Sequence, residues 1–194
     1  LNILIENNIK LDKVMNNVWR NIQFVTGNAD KAREVSQILG INISQISPGE
    51  LIEIQNTDVS VIVEHKASQA YQLVKKPVLV EDSGLFIKAW NGLPGALIKW
   101  FERSVGCAGI VKMLNQFENR NASALCYAAV NDGNHIRIAK GEVSGRIAFQ
   151  VCGKNGFGWD SIFIPDGHER TFGEMSIDEK HTISHRKRAI ESLK

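Results

Sequence analysis

Four stretches of the sequence set reactive or ligand-binding side chains at informative spacings. In "TGNADKARE" (26–34) a turn at Gly27-Asn28 opens a helix, whose free backbone N–H groups and positive dipole end favour a phosphate. Lys31 and Glu34, three apart, are neighbours on that helix, and a plain βα turn with a surface ion pair fits the same residues. In "VLVEDSGL" (78–85) an apolar strand ends in Glu81-Asp82-Ser83-Gly84, which places carboxylates at the carboxyl end of a strand, where open α/β sheets bind ligands. Alternation sends Glu81 and Asp82 to opposite faces, so one of them enters a given cleft and offers hard oxygens to a cation such as Mg²⁺. An acidic, solvated turn fits this stretch equally well.

The third stretch is "GEMSIDEKHTISHRKRAIESL" (173–193), where Ser184 is a good N-cap for a helix running through Ala189, Ile190 and Leu193. His185, Arg186, Lys187 and Arg188 then crowd its first turn, where the dipole disfavours cations. An anionic ligand at that end would offset the repulsion, and a solvated basic patch or a C-terminal nucleic-acid tail is the other reading. The fourth is "NGFGWD" (155–160). Phe157 and Trp159 offer faces on which a base can stack, and Gly156 and Gly158 leave backbone amides open to a polar edge. A β-bulge with two core aromatics accounts for the rings but less well for Asp160.

The elements that must position these groups follow from periodicity. "NIQFVT" (21–26) reads as a strand stopped by Gly27-Asn28, and "ADKAREVSQIL" (29–39) as a helix closed by Gly40. A second helix over 65–74 leads into the strand "VLVED". After the break "NGLPG" (91–95) a helix-like stretch runs to about Phe117. Strands are expected at 123–131, 135–148 and 160–165, with Asp132-Gly133 as a hairpin turn between the first two. The expectation is an α/β fold with a mixed sheet.

Composition bounds the function. With 194 residues, 43% of them hydrophobic, one sizeable core is the default. A net charge of +2 does not describe a nucleic-acid coat or a membrane-surface protein, and no run approaches a membrane span. Three widely spaced cysteines, Cys107, Cys126 and Cys152, suggest neither a disulfide framework nor a zinc knuckle and fit a reducing, cytoplasmic setting. Residues 1–18 are set apart as an N-terminal extension, leaving 19–194 as a single catalytic domain.

Phosphate turn, metal carboxylate, base platform and basic helix terminus all describe one ligand, a nucleoside triphosphate with Mg²⁺. The blocks "FVTGNADKAREV", "PVLVEDSGL", "GLPGALIKWF", "SALCYAAV", "GEVSGRIA", "GFGWDSIFIPDG" and "FGEMSIDEKHTISHRKRA" closely resemble the inosine triphosphate pyrophosphatase family. That family hydrolyses non-canonical purine nucleoside triphosphates (ITP, dITP, XTP) to the monophosphate and pyrophosphate. The resemblance implies an elongated mixed β-sheet flanked by helices, two lobes around a central active-site cleft, Mg²⁺ as cofactor and a homodimer.

Residue by residue, the resemblance makes Thr26, Gly27, Asn28, Lys31 and Lys66 triphosphate contacts, with Ser83 beside them. Glu53 and Asp82 look like the residues that hold Mg²⁺, Asp82 also preparing the attacking water with Lys31 and Glu34 in support. Phe157, Gly158, Trp159 and Asp160 resemble the base-binding segment, closed from the other side by Lys180, Ser184, His185 and Arg186. The chain departs from the pattern at Leu97, Ser161 and His181, where relatives often have Tyr, Pro and Asn. Selection of a six-oxo purine is expected to rest on donors aimed at that oxygen, and rejection of guanine on a pocket with no acceptor or room for its 2-amino group. A non-catalytic nucleotide or RNA binder and a pyrophosphatase for modified pyrimidines are the competing readings.

Overall fold

The computed structural model describes residues 18–19, 21–47, 49 and 51–194. The expected extension, residues 1–18, lies outside the described residues apart from Val18, which is buried in the core. In chain order the elements are β1 (Gln23–Val25), α1 (Ala29–Leu39), β2 (Ser44–Ile46), α2 (Val59–Val74), β3 (Val78–Ile87) and β4 (Pro94–Gly95). There follow α3 (Ile98–Leu114), β5 (Asn121–Asn131), β6 (Ile136–Ile147), a 3₁₀ turn (Gly158–Ile162), β7 (Phe163–Pro165), α4 (Ile177–Ile183) and α5 (His185–Glu191).

The strands form one mixed sheet in the order β2-β1-β3-β5-β6-β7, with β4 against β3. β1 runs parallel to β2 and β3, and the remaining pairs are antiparallel. β3 pairs with β5 from Val78–Asn131 to Ile87–Ala122, so it does not end at Glu81-Asp82 as the sequence led us to expect. What ends there is the parallel part. β1 reaches only Val78 and Leu79, and β4 only Leu85 and Phe86. Between them one edge of β3, from Val80 to Gly84, has no neighbouring strand among the described residues.

Period-two alternation along β3 divides the core. Leu79 packs with Phe24, Val35, Ala189 and Ile190 on one face, and further along that face Leu85 and Ile87 join Ile110, Leu114, Ile162 and Phe163. Val78 and Val80 face the opposite way, against Val59, Val63 and Ala67 of α2. Glu81 and Ser83 therefore sit on an otherwise apolar face, between two hydrophobic clusters.

Several elements differ from expectation. α2 starts at Val59, well before residue 65, because Asp58 caps it by accepting from the Ser60 N–H at 2.8 Å and Val59, Ile62 and Val63 continue its buried face. β2, β4 and α4 are too short for periodicity to reveal. The region 160–165 is a strand only from Phe163; before it the Asp160 carboxylate accepts from the Phe157 N–H at 2.8 Å and bends the chain into a 3₁₀ turn. α3 is broken at Gly106, whose φ of 67° and ψ of 174° are not helical.

α5 lies across β6 with almost no gap: a Cβ on Gly141 would collide with the carbonyl oxygen of His185 and the amide nitrogen of Ala189. Gly141→Ala is expected to cost about 1–3 kcal/mol of stability, because two backbones must separate to admit one methyl group. Urea unfolding of the variant against the wild type measures it, and an unchanged midpoint would mean that α5 does not rest on this strand.

Candidate active site

The open edge of β3 forms one wall of a cleft of about 800 Å³. Thr26, Gly27, Asn28, Lys31, Glu53, Lys66, Asp82 and Ser83 line one part of it, and Phe157, Gly158, Trp159, Asp160, Lys180, His185 and Arg186 line another, with the start of α3 also in the lining. Of the expected site residues only Glu34 and Ser184 are not on its walls. Ser184 is fully buried and caps α5 by accepting from the Lys187 N–H at 3.1 Å. Glu34 lies behind the wall, 5% exposed.

At the phosphate end, the Asn28 side chain caps α1, accepting from the backbone N–H groups of Asp30 at 2.9 Å and Lys31 at 3.2 Å. The Thr26 hydroxyl accepts from Asn28 N–H at 3.1 Å. Those amides are already satisfied within the chain, so charge at this end comes chiefly from side chains. Lys31 does not pair with Glu34; its Nζ lies 2.7 Å from Glu81 and 3.5 Å from Asp82. It reaches both because it comes in at the unpaired edge of β3, although the Glu81 side chain is fully buried and that of Asp82 is 27% exposed. Burial works against the Lys31 charge, but Glu81 and Asp82 outweigh it and hold the pKa above the ordinary lysine value. Glu53 lies at the rim, 3.1 Å from Lys99 and 3.6 Å from Lys66.

Behind the wall the charges alternate. Glu81 accepts from Arg186 Nε at 3.3 Å, and Arg186 Nη1 also donates to Glu34. Lys180 Nζ then lies 2.6 Å from Glu34 and 2.6 Å from Asp160. Burial opposes ionisation of Glu81, yet Arg186 and Lys31 drive its pKa far below the usual carboxylate range. Asp160 differs: burial pushes its pKa up, and Lys180 offsets this only in part. The crowding of cations at the start of α5 is thus met, at Arg186, by the protein's own carboxylates. Arg188 donates to the carbonyl of Glu142 at 2.7 Å, and Lys187 pairs with Glu191 at 3.6 Å.

The "NGFGWD" stretch divides between the two readings. Trp159 is a core residue, 7% exposed, edge-on to Phe163 and 5.2 Å from the His185 ring, so its faces are largely taken. Phe157 is half-buried, with Lys180 Nζ 5.0 Å and the Arg186 guanidinium 5.4 Å from its centre. The glycines admit this chain's own carboxylates: a Cβ on Gly156 (φ 72°) would strike Asp160 Oδ2, and one on Gly158 (φ 60°) would lie 2.9 Å from Glu102 Oε1. Buried His185 has no hydrogen-bond partner on either ring nitrogen among the described residues.

Two residues of the site lie outside the expected set, although Glu81 was weighed beside Asp82 as a carboxylate that could enter the cleft. Glu81 carried a signal, a carboxylate two residues from Leu79 and four from Leu85 on one strand face. Glu102 carried none, since "KWFERS" reads as any exposed helix. It lines the cleft beside Gly158, and burial, then the nearby Asp160, push its pKa up to about 7. Glu102 thus adds a carboxylate to the cleft wall beside the Phe157–Asp160 segment.

Among the described residues no group of three or more His, Cys, Asp or Glu side chains is placed to hold a metal. Asp82 and Glu53 are two carboxylates on one cleft, a donor set that suits Mg²⁺ carried in by phosphate oxygens better than a cation caged by protein alone.

The family model of the Ham1 family matches residues 22–194. A dITP/XTP pyrophosphatase of Ignicoccus hospitalis is 40% identical over 177 residues, covering 89% of this chain and 94% of that protein. An inosine triphosphate pyrophosphatase of Kluyveromyces lactis is 43% identical over 182 residues, covering 89% and 93%. The solved structure of the Staphylococcus aureus Ham1 protein superposes with a TM-score of 0.71 at 27% identity, over 89% of this chain and 95% of that one.

The buried charges make stability depend on acidity. Burial alone would raise the Glu34 pKa, but Arg186 and Lys180 lower it from 4.5 to about 2. A depressed carboxylate contributes stability above its unfolded pKa and loses it as pH falls toward the folded one, here on the order of 3 kcal/mol between about pH 5 and pH 2. Urea midpoints across that window are expected to fall steeply for the wild type and less steeply for Glu34→Gln. The variant should also be weaker at neutral pH by about 3–5 kcal/mol, because two buried cations lose a partner.

Proposed function

The chain belongs to the Ham1 family, and on that premise we propose that it hydrolyses non-canonical purine nucleoside triphosphates such as ITP, dITP and XTP to the monophosphate and pyrophosphate. The observation that carries this reading is convergence. Segments far apart in sequence, 26–31, 53–66, 82–83, 157–160 and 180–186, supply cations, carboxylates and an aromatic face to one cleft. Its size suits a nucleotide.

In this reading the triphosphate lies along Thr26, Asn28, Lys31 and Lys66, and the base lies at the Phe157–Asp160 end. Water attacks the α-phosphorus, a new P–O bond forms, and the bond to the β-phosphate bridging oxygen breaks to release pyrophosphate. Asp82, the exposed carboxylate of the open strand edge, orients the water and takes its proton. Lys31, fixed between Glu81 and Asp82, meets the charge that develops on the phosphates, and Glu34 keeps Arg186 and Lys180 in place behind it. Mg²⁺, held by Asp82 and Glu53 with phosphate oxygens, would neutralise the triphosphate and polarise its P–O bonds when bound. Catalysis is then mainly positioning and charge neutralisation.

A nucleotide substrate and three free cysteines support a cytoplasmic setting, and no described helix is long and apolar enough to cross a membrane. Exposed Phe149, 80% accessible, with Val151 beyond it, supports a homodimer as the working assembly.

Incubation with ITP and Mg²⁺ is expected to release IMP and pyrophosphate in equal amounts, and chelation of the metal to stop it. Asp82→Asn should lower kcat by about 100-fold or more while leaving the melting temperature near that of the wild type. Orthophosphate in place of pyrophosphate, or full turnover by the variant, would overturn the assignment.

A further inference from the structure

Glu102 stands apart from the other carboxylates of the cleft. Asp30, Glu53, Asp82 and Asp160 each have a lysine or arginine nitrogen within 3.6 Å. Glu102 forms no ion pair or hydrogen bond among the described residues, and its Oε1 is buried without a partner. A buried acceptor left unpaired costs about 1–3 kcal/mol and calls for an explanation. Its position supplies one. Oε1 lies 2.9 Å from where a Gly158 Cβ would be, so no side chain separates this carboxylate from the Phe157–Trp159 strip on the wall that both line.

The inference rests on the proposed function, which puts the base at that strip. A six-oxo purine carries an N1–H donor on its pairing edge, whereas adenine carries a lone pair at N1. We propose that Glu102 is a specificity-determining residue of this cleft: its unpaired oxygen accepts the N1–H of a six-oxo purine and repels the N1 lone pair of adenine. A site built to pair with a substrate N–H discriminates strongly against an analogue that lacks it. A hydrogen bond from the base also favours the ionised carboxylate, countering the burial and the Asp160 charge that raise its pKa to about 7 in the free protein. Guanine keeps the N1–H, so Glu102 separates six-oxo purines from adenine and not hypoxanthine from guanine.

The test compares kcat/KM for ITP and ATP, at a pH where Glu102 is ionised, in the wild type, Glu102→Gln and Glu102→Leu. The ITP-to-ATP ratio is expected to fall at least tenfold in E102L, with the larger part of the change in KM for ITP. E102Q, whose amide oxygen still accepts, should fall between the two. Thermal melting checks that E102L is folded, and E102A carries the same expectation if it is not. An unchanged ratio in a folded variant, with ITP still hydrolysed, overturns the role of Glu102 alone. Failure of the wild type to release pyrophosphate from ITP would instead overturn the function on which it rests.

Discussion

The structure depends on a buried line of alternating charges: Lys31, Glu81, Arg186, Glu34, Lys180, Asp160. Three cations meet three carboxylates, so the line is neutral as a whole, yet each member would be costly to bury alone. The members come from α1, β3, the 3₁₀ turn, α4 and α5, so one line of charges ties five elements together. Such a network adds little net stability over a well-packed apolar substitute, but it punishes any arrangement that leaves one charge unpaired. Its effect is on geometry. It fixes the backs of the residues whose fronts face the cleft.

The sheet supplies the opening. A strand paired on both edges would give a closed wall, but β1 stops beside Leu79 and β4 begins beside Leu85. In the interval Asp82 turns to the cleft, its Oδ1 accepting from the Ser83 N–H at 3.0 Å, and Glu81 turns to the charge line. One dipeptide thus serves both structures because adjacent strand residues face opposite ways. Gly84 follows, where the backbone of Gly95 comes so close that a Cβ would lie 2.9 Å from its carbonyl. β4 can pair only because that side chain is missing.

How much of this was legible in the sequence depended on the range of the interactions involved. The α/β class, the long antiparallel hairpin and the helices at 29–39 and after Ser184 were readable because each rests on local periodicity, caps and turns. The residues that the family resemblance assigned to phosphate, metal and base meet in one cleft apart from Glu34 and Ser184, whereas wall residues outside its motifs, such as Gln55, Trp100 and Glu102, were not foreseen. Nor were partners. Arg186 was read as a cation awaiting an anion, since its carboxylates lie 105 and 152 positions away. The 160–165 segment looked like a strand because "SIFIP" is β-prone, and only the fold-back of Asp160 onto Phe157 shows why it begins as a turn. Trp159 looked like a platform and packs against Phe163 and His185 while still lining the cleft, because nothing local tells which of two nearby rings has neighbours in the core.

The break in α3 has a consequence for how such a cleft diversifies. Ahead of Gly106 the helix presents Lys99, Trp100, Glu102 and Arg103 to the cleft, and behind it Ile110, Val111 and Leu114 anchor in the core. A continuous helix would tie the two halves to one rotation, so that changing the wall would disturb the anchor. With a left-handed glycine between them, the front half keeps its own anchor, Ile98 with Phe101 beside it, while Lys99, Trp100, Glu102 and Arg103 face the cleft. Cleft-facing and core-facing positions are thereby separable on that half, and selection can edit the first without rewriting the second.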